Sequence, residues 1–80
     1  MLTTTKKTAM LTILEDIDNY QFTKITVKIS NAQYEIHRTD LGDRIFYEPY
    51  LFNGNAYIET TIPEIIKYVQ EIGARKFIME

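Results

Sequence analysis

Apolar residues recur at two different spacings along this 80-residue chain, and the change between them separates helix from strand. From Thr5 to about Asn19, Met10, Ile13, Leu14 and Ile17 fall three or four positions apart, with Ala9 and Tyr20 extending the stripe. That period predicts an amphipathic helix. Lys6 and Lys7 stand at its start and Glu15, Asp16 and Asp18 at its end, against the macrodipole, so tertiary packing has to hold it.

The period then drops to two. In KITVKISNAQYEIHR, Ile25, Val27 and Ile29 alternate with Lys24, Thr26 and Lys28, which predicts a β-hairpin. With Asn31 and Ala32 as its loop, Ile29 faces Tyr34, Lys28 faces Glu35, Val27 faces Ile36 and Thr26 faces His37. TDLGDR supplies a second turn, Gly42 taking the positive φ, and pairs Thr39 with Arg44, Ile36 with Tyr47 and His37 with Phe46. Asn-Gly in FNGN predicts a type I′ loop that pairs Leu51 with Ala56 and Tyr50 with Tyr57. Carried further, this register sets Glu48 beside Glu59, and Pro49 has no N–H for a ladder. A bulge or break is expected near Pro49.

TTIPEIIKYVQEIG carries the punctuation of a second helix: Thr61 and Glu64 as a capping box, Pro63 in the first turn and Gly73 at the stop. Ile62, Ile65, Ile66, Val69 and Ile72 form its apolar stripe. Residues 74–80, ARKFIME, fit a short extra strand or a docked tail. The expected fold is a single two-layer α+β domain over residues 1–80: N-terminal helix, four-stranded antiparallel meander, C-terminal helix. Both helices cover one sheet face, holding Ile25, Val27, Ile29, Tyr34, Ile36, Ile45, Tyr47, Leu51, Ala56 and Ile58. The open face then holds Lys24, Thr26, Lys28, Glu35, His37, Phe46, Glu48, Tyr50, Phe52, Tyr57 and Glu59. Aromatic rings rimmed by carboxylates have the composition of a protein-binding patch, so Phe46, Glu48, Tyr50, Phe52, Tyr57 and Glu59 are the candidate partner-binding residues.

Composition narrows the chemistry. Nine basic against eleven acidic side chains leave a charge of −2, which offers no long-range pull toward phosphate backbones or anionic lipid. No cysteine means no disulfide, thiolate metal site or cysteine nucleophile. No apolar run is long enough to span a bilayer, and MLTTTKKTAMLTILED lacks the pattern of a secretory signal, so a cytoplasmic protein with no membrane partner is expected.

Catalytic constellations are missing too. His37 is the only histidine and Ser30 the only serine, and an alternating strand holds them seven positions apart on opposite faces. A zinc site at His37 needs carboxylates gathered by tertiary accident, and Glu15, Asp16 and Asp18 lack the spacing and glycine of a calcium loop. Glu48 and Glu59 resemble a glycosidase pair only in residue type, with no cleft in so small a domain. No cofactor is expected and the chain reads as non-catalytic. A single-strand stacking platform built from the same rings with Lys24, Lys28, Arg38 and Arg44 is disfavoured by Glu48, Glu59 and the absent Gly-rich loop. The expected role is binding another protein, as an accessory or inhibitor-type domain of the sort common in phages and mobile elements, by analogy of type alone. A homodimer through the same face or through an edge strand is the structural alternative.

Overall fold

The computed structural model describes residues 1–80. Six strands and two helices follow in the order β1 (Leu2–Thr4), α1 (Lys7–Glu15), β2 (Lys24–Lys28), β3 (Gln33–Asp40), β4 (Ile45–Phe52), β5 (Tyr57–Glu59), α2 (Ile62–Glu71) and β6 (Lys76–Met79), with a 3₁₀ turn at Ile17–Asn19 closing α1. The strands form one antiparallel sheet, ordered β1-β6-β2-β3-β4-β5. This extends the expected four-stranded meander to six strands. Residues 76–79 are a strand rather than a tail, and they lie inside the sheet, hydrogen-bonded to β1 on one side and β2 on the other.

Both helices pack on one face, antiparallel to each other. The Lys7 ammonium, misplaced for the dipole of its own helix, donates to the Gln70 carbonyl at the C-terminal end of α2, where a cation is favoured. Thr61 caps α2, its Oγ accepting from the Glu64 N–H at 3.2 Å, and Gly73 leaves the helix with φ 91°, a left-handed value that glycine takes without strain. Met10, Ile13, Leu14 and Ile17 from the first helical segment and Ile65 and Val69 from α2 close over Ile25, Val27, Tyr34, Ile36 and Phe77.

All three hairpins pair two residues away from the expected register. Val27 faces Tyr34 and Ile25 faces Ile36, because the loop is Ser30-Asn31. Ile36 faces Pro49 and His37 faces Glu48, because Leu41 bonds to Arg44 across Gly42-Asp43. Leu51 faces Ile58 and Tyr50 faces Glu59, around Gly54-Asn55. Gly54 alone takes the positive φ there (98°), so the type I′ turn, which needs two such residues, is not formed. The Asn53 side chain accepts instead from the Asn55 and Ala56 N–H groups at 3.0 and 3.1 Å.

The shift also removes the expected bulge. β4 runs unbroken from Ile45 to Phe52, and the Pro49 carbonyl accepts from the Thr60 N–H at 3.1 Å, just beyond the end of β5. Carbonyl and nitrogen of one strand residue point the same way, so the missing N–H falls on the β5 side and costs the β3–β4 ladder nothing. Glu48 and Glu59 no longer face each other.

A slip of two leaves each side chain on its expected face, but coverage is uneven. Buried sheet residues come only from β2, β3 and β6. Ile45, Ala56 and Ile58, expected in the core, are exposed, because the helices do not reach the start of β4 or β5. On the opposite face Thr26 and Glu35, expected in solvent, are 5% and 3% exposed.

Candidate functional site

Four of the six expected residues form one neighbourhood. Phe52 and Tyr57 are cross-strand partners with ring centroids 4.6 Å apart, and Tyr50 meets Tyr57 edge-on at 5.7 Å. The Tyr50 hydroxyl donates to Glu48 at 3.0 Å, and this carboxylate holds the phenol above its usual pKa. His37 continues the run, its ring edge-on to Tyr50 at 6.0 Å. Glu59 borders it as the cross-strand neighbour of Tyr50. Phe46 stands apart at the tip of the β3–β4 hairpin, on the same face, with the Arg44 guanidinium over its ring at 5.4 Å. Tyr57 is 55% and Phe46 44% exposed, whereas Tyr50 and Phe52 are half-buried by their neighbours.

Beneath the rings lies a carboxylate that alternation alone marks as solvated. Glu35 occupies the middle of β3, between Thr26 and Tyr50. Gln33 Nε2 donates to one of its oxygens at 2.7 Å, and His37 Nε2 lies 2.9 Å from the other. Burial pushes the Glu35 carboxyl up, but the bonds from Gln33 and His37, with the charge of Lys24, outweigh it and hold the group below the ordinary carboxylate range. Satisfied in this way by side chains of its own strand, Glu35 orders the part of β3 that borders the site, where His37 meets Tyr50. His37 is therefore a fixed member of this network rather than the free cross-strand residue its strand position suggested.

Arg38 is on the other side of the sheet. Its guanidinium donates to the Phe22 carbonyl at 3.4 Å and lies 5.8 Å from the Phe22 ring, which stacks on Tyr47. The single-strand stacking platform, already disfavoured by sequence, thus has one of its four cations on the helix-covered face. Parity would have placed it there: Arg38 is two residues from buried Ile36.

The surface has no deep cleft. An open recess of about 190 Å³ lies at the fork between β4 and β5, lined by Tyr47, Glu48, Pro49, Tyr50, Glu59 and Thr60. A larger one, about 350 Å³, lies at the opposite end of the sheet against Lys28, the Ser30-Asn31 loop and Phe52. No three His, Asp or Glu side chains converge closely enough to hold a metal ion. No helix is long and apolar enough to cross a membrane. Comparison with protein-family models, curated proteins and solved structures gives no match.

Proposed function

We propose that this chain is a small non-catalytic protein-binding domain of the accessory or inhibitor type, whose contact surface is the outer face of β4 and β5. The observation that carries this reading is the unbroken ring run His37–Tyr50–Tyr57–Phe52, bordered by Glu48 and Glu59 on a sheet face that no helix covers. Rings fixed by their neighbours lose little entropy on docking, and Tyr and Phe are enriched where proteins meet. Phe46, at the hairpin tip, extends the surface beyond Glu48. A chain without cysteine suits a reducing compartment, and the cytoplasm is its proposed place of action.

The test is capture with chemical cross-linking, comparing wild type with a Tyr50→Ala, Tyr57→Ala double variant. A specific protein lost with the double variant supports the surface. Equal retention by both moves the site elsewhere.

A further inference from the structure

The outer face is divided by charge as well as by composition. On β2 and β6 it carries Lys24, Lys28 and Lys76, and on β4 and β5 it carries Glu48, Glu59 and the rings. Lys28 and Lys76 are direct cross-strand partners, a like-charge pair that costs stability in the isolated chain, and no carboxylate lies within ion-pair distance of either lysine or of Lys24. The register arranges these groups in rows. One row runs Lys76, Lys28, Gln33, Phe52, Tyr57 from β6 to β5, about 19 Å long at the usual strand spacing. A parallel row runs Lys24, His37, Glu48. In both, β3 is the midpoint.

We infer that the partner of this face is a second copy of the chain, docked face to face about a two-fold axis running along β3. An isologous interface must be complementary to itself, and these rows are. Rotation about β3 carries β2 onto β4 and β6 onto β5 at the same level. Lys24 of one copy then faces Glu48 of the other, twice per dimer. Lys28 faces Phe52 and Lys76 faces Tyr57, so that the lysine stems lie against the stacked rings. Thr26 faces Tyr50, and Gln33, Glu35 and His37 lie on the axis. Two positions are unmatched: Ile78 lies opposite Glu59, and on the axis each Glu35 carboxylate faces its own counterpart, buried and held by Gln33 and His37. Sheets stacked this way keep their strands nearly aligned, as sandwich packing prefers.

This inference rests on the outer face being a contact surface, and it is tested separately from that reading. Sedimentation velocity over a concentration series is run on wild type, Lys24→Glu, Glu48→Lys and an equimolar mixture of the two variants, with melting curves to verify folding. Wild type should dimerise. Each variant alone sets like charges against each other twice and should weaken dimerisation at least about tenfold, whereas the mixture restores both attractive pairs and should dimerise like wild type. A wild type that stays monomeric throughout, or a mixture no better than its components, overturns the inference. Should either variant fail to fold, Lys28→Glu with Lys76→Glu replaces it, and undiminished dimerisation of that chain counts against the proposal. A monomer that still loses a captured protein with Tyr50→Ala, Tyr57→Ala keeps the contact face and discards only the self-association.

Discussion

The centre of the sheet and its β4–β5 wing share one alternating pattern and differ in what covers them. On β2, β3 and β6 the helix side is sealed, and even the outer side buries Thr26 and Glu35 beneath neighbouring side chains. On β5 all three residues are exposed, Ile58 nearly as fully as Tyr57. Alternation assigns a side chain to a face, but burial depends on whether an element lies over it. In a domain this small two short helices cannot cover six strands. The wing is held by its ladder and by ring-on-ring contacts, and is therefore the part free to meet something else.

Mutations should make the contrast quantitative. Phe77→Ala, in the sealed centre, is expected to cost about 3 to 5 kcal/mol in urea denaturation, enough to unfold much of so small a domain. Ile58→Ala, on the same sheet face but in the wing, should change stability by about 0.5 kcal/mol or less, and a loss near that of Phe77 would mean the wing is covered after all.

Glu35→Ala should come next, at about 1 to 3 kcal/mol, since it leaves Gln33 and His37 without their acceptor. The acid limb gives a sharper reading. A carboxyl held below its unfolded value of about 4.3 stabilises the fold fully above that pH, and the contribution is lost as pH falls through the folded value. Glu35→Gln should flatten this limb, and an unchanged melting profile between neutral and acid pH would remove Glu35 from the account. Thr61→Ala should cost about 1 kcal/mol through the lost cap. Tyr57→Ala should cost about 0.5 to 1.5 kcal/mol, more than Ile58→Ala because it removes ring contacts at the surface, and should have the largest effect on partner capture.

Much of this architecture is legible from local pattern. The helix stripe at Met10, Ile13, Leu14 and Ile17, the cap at Thr61 and the alternation of β2 to β4 follow from spacing, and they appear where spacing puts them. Face assignment survived three misplaced registers because each slipped by two, and a period-two pattern cannot distinguish such slips. What chose between them was outside the pattern: Pro49 needs its nitrogen off the β3 ladder, and Glu48 and Glu59 are better apart. β1 left no signal, since three residues have no period and gain order only by pairing with β6. The candidate site was legible as a set of rings on one face. Its foundation at Glu35 was not, because the Gln33 and His37 groups that satisfy the buried carboxylate look, in sequence, like ordinary solvated strand residues.

The position of β6 has a consequence for how the chain comes together. It is translated after every other element described here, yet it occupies an interior slot, so until it emerges β1 has nowhere to attach and β2 presents a bare edge beside an uncapped layer of Ile25 and Val27. Nascent chains should therefore stay protease-sensitive until Lys76–Met79 clears the ribosome. A chain cut before Lys76 would lose a middle plank of the sheet.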